Sequence, residues 1–178
     1  MIAILHRAAL IAVGGIGVAA LLAGCSSDPT KGYSFTSSYD TSVRTVAVPM
    51  FQNPTYARGL EIELTDAIVK EIQSRTPWRV TTEGTANTTL TGTLTNSQLQ
   101  QLSYSRDTGY VQEVGVTLTV DFDWKDARTG KTLVSRRNFS AMASFVPESP
   151  ANERIEHGQH AAIQKLARDI VTELRSNW

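Results

Sequence analysis

The stretch that decides the fold is Val114-Gly115-Val116-Thr117-Leu118-Thr119-Val120-Asp121-Phe122-Asp123-Trp124. Its large apolar side chains occupy every second position, and hydroxyls and carboxylates occupy most of the positions between them. Successive side chains of a β-strand point to opposite faces of the sheet. The alternation therefore predicts a half-buried strand with one apolar and one polar face.

Two further long strands flank this one along the chain. They are predicted over residues 88 to about 104 and over residues 131–145. A hairpin turn at residues 126–130 joins the strand that ends at Trp124 to the strand at 131–145. The alternation breaks at Arg136-Arg137, which predicts a β-bulge that shifts the register. We expect the polar face to carry threonines, Asp121, Asp123 and Arg136. It is either an ordinary solvated face or a polar platform that meets a partner or a water-filled barrel lumen.

Two helices are predicted from apolar side chains spaced three and four residues apart. The first covers residues 58–75, between short strands at 44–48 and 78–82, so the three segments indicate a βαβ unit with parallel strands. The second is expected to begin at Ser149-Pro150 and to run to Arg175. Both helices need an apolar partner. The predicted fold class is therefore α+β, a two-layer sandwich with two helices on one face of a mixed, mostly antiparallel sheet.

The N-terminal segment has the pattern of a lipoprotein signal. An uncharged apolar run from Ala8 to Ala23 ends in Leu22-Ala23-Gly24-Cys25, and Cys25 is the single cysteine of the chain. This resembles the lipobox of bacterial lipoproteins, in which the signal is removed before an acylated cysteine. We expect a signal peptide at residues 1–24, a lipidated tether at 25–42 and one domain at 43–178. Serine, rather than aspartate, follows Cys25, which resembles the pattern of outer-membrane lipoproteins.

Composition and motifs exclude several functional classes. The 178 residues carry 17 basic and 17 acidic side chains, and this balance argues against a nucleic-acid partner. No nucleophile elbow, phosphate loop or zinc motif is present in the sequence. His157 and His160 lie three residues apart but lack a defined third ligand, so we expect no metal site and no cofactor.

Several segments together resemble the LptE family of lipopolysaccharide-assembly lipoproteins. They are Gly32 to Phe35, Thr45 to Thr55, Leu60-Glu61, Leu64 to Ala67, Ala86 to Leu94, Val111 to Val120, Trp124 to Asp126, and Thr129-Gly130. The resemblance implies a non-enzymatic outer-membrane lipoprotein that plugs an LptD-type β-barrel and binds lipopolysaccharide. It also implies two helices on a mixed sheet, the same fold that the periodicity predicts.

Basic residues are the candidates for contact with the anionic phosphates of lipopolysaccharide. The first is Arg106, in the loop between two long strands, where the resemblance implies a basic residue. Arg136 and Arg137 are the second choice, because they interrupt an alternating strand. The third is the hairpin group, defined as Lys125, Arg128 and Lys131.

Two other functions share parts of this layout. Lipoprotein activators of cell-wall synthases and curli-secretion lipoproteins also begin with a short β-branched strand and a helix. An outer-membrane-anchored hydrolase is the remaining alternative, and the sequence supplies no nucleophile or metal set for it.

Overall fold

The structure is a computed structural model that describes residues 43–107, 109, 111–147 and 154–176. The predicted signal peptide, Cys25 and the tether lie outside the described residues, as do Ser149 and Pro150. The described ranges cover most of the domain predicted at residues 43–178.

Two helices and five strands make up the described part of the chain. In chain order they are β1 (Thr45–Ala47), α1 (Leu60–Arg75), β2 (Arg79–Val80), β3 (Thr88–Tyr104), β4 (Val111–Asp126), β5 (Thr132–Phe145) and α2 (Ile155–Ser176). Arg154 has non-helical backbone, so α2 begins later than the predicted Ser149-Pro150 start. The end of α2 lies within one residue of the predicted Arg175.

The sheet has the strand order β2-β1-β3-β4-β5. β1 pairs in parallel with both β2 and β3. β3 with β4 and β4 with β5 form long antiparallel pairs. The predicted mixed, mostly antiparallel sheet and the α+β class are therefore confirmed.

Both helices cover the apolar face of the sheet. Leu64, Ile68 and Ile72 form the buried stripe of α1, and the spacing of four residues aligns them on one side. Together with residues of α2 and the strands they form one core, whose fully buried members include Phe51, Leu90, Leu94, Leu118, Phe122, Trp124, Ile163, Leu166 and Ile170. Burying a large apolar side chain contributes about 1.5–3 kcal/mol, so this layer supplies most of the driving force for folding.

Two glycines let large rings approach the backbone. A Cβ built on Gly92 would lie 2.2 Å from Cε1 of Phe51, the ring wedged between β3 and α1. A Cβ on Gly158 of α2 would lie 2.5 Å from Cδ1 of Phe145. Both distances are shorter than van der Waals contact, so a Cβ at either position would force the ring or the backbone to shift.

The sheet is longer than the helices that cover it. The 17 residues of β3 extend about 56 Å, whereas the 22 residues of α2 extend about 33 Å. α2 begins beside Leu99, Val114 and Phe145. Residues 98–102 of β3 are exposed, which makes this end of the sheet an overhang.

Candidate functional site

The sheet face opposite the helices is polar. Thr117, Thr119, Asp121 and Asp123 of β4 point to this side, because the residues between them are buried under the helices. Part of the face forms an open groove of about 580 Å³. Its lining includes Gln52, Thr91, Thr93, Asp121, Asp123 and Arg137.

Asp123 is the centre of the hydrogen bonding on this face. Its Oδ1 accepts a bond from the Ser135 hydroxyl at 2.6 Å. Arg137 Nη2 donates to Oδ1 and Oδ2 at 3.0 Å each. The hydrogen bond from the Ser135 hydroxyl and, as the next lowering cause, the Arg137 guanidinium hold the pKa of the Asp123 carboxyl below its ordinary value. A carboxylate whose pKa is lowered and which already accepts three hydrogen bonds is poorly suited to general acid–base work at neutral pH.

A β-bulge in β5 lies directly after Arg136. Val120 pairs with Phe139 but Phe122 pairs with Arg136, so Arg137 and Asn138 together oppose Asp121. Asn138 has a φ of 54°, and its backbone N–H donates to Asp121 Oδ1 at 2.8 Å. The predicted bulge at Arg136-Arg137 is confirmed.

The prediction that Arg136 lies on the polar face is wrong. Arg136 lies opposite Phe122, on the side of the helices. Its Nε and Nη2 lie 2.9 Å and 2.7 Å from Glu173 Oε2 on α2. Arg137 takes the polar-face position instead, because Ser135 lies opposite Asp123 and side chains alternate along β5 up to the bulge, which comes only after Arg136.

The first candidate for lipopolysaccharide contact, Arg106, lies at the tip of the overhang. It is exposed in the turn between β3 and β4, where the Gly109 N–H donates to the Ser105 carbonyl at 2.9 Å. The Arg106 side chain makes no hydrogen bond or ion pair with another described residue.

The hairpin group lies at the other end of β4. Asp126 Oδ1 accepts bonds from the backbone N–H groups of Arg128 and Thr129 at 3.0 Å and 2.7 Å. These bonds fix the turn, and those from Thr129 chiefly hold the pKa of Asp126 below its ordinary value. Lys125, Arg128 and Lys131 are exposed around it. About 15 residues of β4 separate this group from the Arg106 turn, or about 50 Å, so one phosphate group cannot contact both.

Sequence reasoning missed two partners at these sites. Asp123 and Arg136 were singled out from the sequence, but the residues that bond to them were not. Ser135 donates to the Asp123 carboxylate, and Glu173 accepts from the Arg136 guanidinium. Ser135 lies two residues before Arg137, and alternation before the bulge could have placed it beside Asp123. Glu173 gave no such signal, because it meets Arg136 only through the packing of α2 on the sheet.

The remaining candidate chemistry is sparse in the described part of the chain. His160 Nδ1 lies 3.9 Å from Glu63 Oε2 on α1, a contact between two exposed side chains. Residues 43–107, 109, 111–147 and 154–176 contain no group of three or more His, Cys, Asp or Glu side chains placed to hold a metal ion. Neither described helix is long and apolar enough to cross a membrane.

Solved structures with the same fold share little sequence with this chain. A hypothetical protein from Chlamydia trachomatis is similar with a TM-score of 0.55 at 11% identity, over 76% of this chain and 97% of that one. A protein from Xanthomonas campestris is similar with a TM-score of 0.50 at 10% identity, over 75% and 85% of the two chains. At these identities the likeness shows the fold alone.

Rare lipoprotein B from Shewanella oneidensis has a TM-score of 0.49 at 12% identity, over 75% of this chain and 95% of that one. No curated protein matches the sequence significantly.

The family comparison is more specific than the structural ones. The model of the LptE family, described as lipopolysaccharide-assembly, matches residues 43–177. That range contains both helices and all five described strands. The chain therefore belongs to the LptE family, whose role is in lipopolysaccharide assembly.

Proposed function

We propose that this chain is a non-catalytic outer-membrane lipoprotein that plugs an LptD-type β-barrel and binds lipopolysaccharide during its assembly. Cys25 carries the acyl chains that hold it to the inner leaflet of that membrane, with the domain on the periplasmic side. The observation that carries the proposal is the family match over residues 43–177.

The polar sheet face supports the plug. Porin-type barrels have a polar, water-filled interior. A face with hydroxyls, Asp123 and Arg137 can exchange hydrogen bonds with the lumen wall and its water. Arg137 already neutralises Asp123, and the Asp121 carboxylate, bonded to the Asn138 N–H, keeps oxygen lone pairs for that water. The opposite face is covered by the helices and offers no such surface.

Contact with lipopolysaccharide is assigned to Arg106. Arginine binds phosphate through paired, charge-assisted hydrogen bonds, and the Arg106 guanidinium is free of described partners. Arg136 and Arg137 are weaker candidates, because carboxylates already occupy them. The hairpin group is the alternative at the other end of the sheet.

Isolation of the chain from native outer membranes tests the plug. The full chain, tagged at its C-terminus and expressed at its native level, should bring down one large β-barrel protein and lipopolysaccharide in mild detergent. Recovery of the chain alone would contradict the proposal. Recovery with a cell-wall synthase would favour an activator of that enzyme.

A further inference from the structure

The outer edge of β3 is open along most of its length. The Gln52 N–H donates to the Gly92 carbonyl at 2.9 Å, and the Leu94 N–H donates to the Gln52 carbonyl at 2.8 Å. The chain then turns away at Asn53-Pro54. Beyond Leu94 no described strand pairs with β3 on the side away from β4.

The register shows which backbone groups face outward. Gly92 and Leu94 point away from β4, since both bond to Gln52. In an antiparallel ladder the direction alternates, and β4 continues without a break where β3 bulges between Leu94 and Asn96. The backbone N–H and C=O groups of Ser97, Leu99 and Gln101 therefore point outward, as a row of donors and acceptors.

The two long edges of the sheet differ in how they are protected. Natural edge strands avoid accidental pairing through charges, prolines and bulges. The edge of β5 carries Arg136, Arg137 and the bulge at Asn138. The open edge of β3, residues 95–104, reads TNSQLQQLSY and contains no charged residue and no proline. Its register with β4 is regular from Asn96 to Gln101, between bulges at either end. These six residues therefore lack the devices that protect the β5 edge, which leaves them available to pair with a further strand.

Grooves on the helix side of this edge can hold side chains of an added strand. One groove of about 680 Å³ is lined by Tyr56, Thr95, Asn96, Ser97, Leu99 and Gln159, among others. A second, of about 620 Å³, continues from Leu99 to Tyr104 and Phe145. Leu99 is 52% exposed and Tyr56 is fully exposed, so both offer apolar contact.

The loop at the near end of the edge is fixed. Asn53 Nδ2 donates to the Ala57 carbonyl at 2.8 Å and to Glu61 Oε2 at 2.6 Å. Its Oδ1 accepts from the Thr55 N–H at 3.0 Å. The backbone that carries Tyr56 is thereby ordered before any ligand arrives, which lowers the entropic cost of binding.

We propose that residues 95–104 of β3 receive an uncharged, extended segment of the partner barrel protein as an additional strand of the sheet. Backbone hydrogen bonds to Ser97, Leu99 and Gln101 hold the segment, and its alternate side chains enter the two grooves. This inference rests on the proposed function, since it assigns the segment to the barrel.

A second copy of the chain fits the edge less well. Symmetric antiparallel pairing through the outward groups would set Leu99 of the two copies opposite each other and Ser97 opposite Gln101. Tyr104 of one copy would then need the place beside Leu94 of the other that Gln52 occupies. A single segment with free ends meets no such obstacle.

Proline substitutions at two serines test the proposal. Ser97→Pro removes an outward N–H from the β3 edge, and edge strands tolerate proline where the N–H faces solvent. Ser144→Pro on the β5 edge is the matched control. The backbone groups of its neighbours Ala143 and Phe145 point to β4, so the N–H of Ser144 points outward. Each full-length variant is co-expressed with the LptD-type barrel of its own organism. Recovery of the barrel on the tagged chain should fall at least tenfold for Ser97→Pro and stay unchanged for Ser144→Pro.

Hydrogen exchange of the wild-type complex supplies a readout that does not depend on a variant folding. The amides of Ser97, Leu99 and Gln101 should exchange more slowly in the complex than in the chain alone, whereas those of Met142 and Ser144 should not change. A stable wild-type complex without that protection, or one that Ser97→Pro leaves intact, overturns the added strand alone. A wild-type chain that captures no barrel overturns the proposed function. A chain dimer that Ser97→Pro dissociates assigns the edge to a second copy and overturns the proposal.

Discussion

Arg137 and Asp123 form a two-pronged contact across β4 and β5, with Arg137 Nη2 lying 3.0 Å from each carboxylate oxygen. The contact exists because alternation along β5 puts Arg137 on the same face as Asp123, while Arg136 bonds to Glu173 on the other side. Two adjacent arginines thus serve two different layers of the molecule.

The Asp123 contact makes stability depend on pH. The folded-state pKa of Asp123 lies below its unfolded value, so its contribution is complete above the unfolded pKa and is lost as pH falls through the folded one. We expect Asp123→Asn to lower the free energy of unfolding at pH 7 by at most about 1 kcal/mol, because solvent screens the exposed pair. Below both pKa values the penalty should shrink. Urea denaturation between about pH 7 and about pH 2 checks this. An equal loss at every pH would contradict it.

Reversing the charge of Arg106 should weaken lipopolysaccharide binding. A charge-assisted hydrogen bond contributes about 1.5–3 kcal/mol, so Arg106→Glu should raise the dissociation constant about tenfold or more. Arg128→Glu is the matched control, since it reverses an exposed arginine at the other end of the sheet. Titration of the purified full-length chain with lipopolysaccharide is the measurement, with circular dichroism to confirm folding. A larger effect for Arg128→Glu would move the site to the hairpin group.

A methyl group at Gly92 should destabilise the domain. The Cβ would lie 2.2 Å from the Phe51 ring, so the ring or the strand must shift, and overpacking of this kind costs about 1–3 kcal/mol. Gly84→Ala is the control, because nothing lies within 4 Å of a Cβ there. The free energies of unfolding of both variants decide the matter. In the double variant Gly92→Ala/Phe51→Leu the ring that meets the new Cβ is absent. We therefore expect the two substitutions to be coupled, so that Gly92→Ala destabilises the Phe51→Leu background less than the wild type.

Replacing Cys25 should detach the protein from the membrane without unfolding it. Durable anchoring needs two or more acyl chains, and Cys25→Ser removes their attachment site. Intact-mass measurement of the wild-type chain should give a mature N-terminus at an acylated Cys25, and fractionation should place the variant outside the membrane pellet or leave its signal uncleaved. A wild-type chain that begins at another residue would refute the lipid anchor.

Local patterns predicted the elements of the fold well. The alternation from Val114 to Trp124 is a property of neighbouring residues, and β4 has the same buried and exposed positions in the structure. The bulge was also predictable, because Arg136-Arg137 breaks the period. Its geometry was not, since the sequence does not show whether the extra residue comes before or after Arg136. That choice determines which arginine joins the polar face.

Non-local features were beyond sequence reasoning. The open edge of β3 exists because Gln52 pairs with Gly92 and Leu94 and the chain then leaves the sheet, a relationship between residues about 40 positions apart. No local pattern at residues 95–104 indicates that the neighbouring strand is missing. The candidate site was therefore predicted as a set of cations, whereas the structure shows which of them are already paired.

The bulge at Asn138 also sets where β5 can change length. Arg137 and Asn138 together oppose Asp121, and Phe139, Ala141 and Phe145 still point to the helices because the bulge absorbs the extra residue. Loss of one codon at residues 137–138 would therefore leave a regular strand with the same facing. Loss of one codon between Ala141 and Phe145 would turn the end of the strand over, exposing Phe145 and burying Ser144. A change of length that the bulge or the turn at residues 126–131 can absorb is thus not tolerated in the last residues of β5.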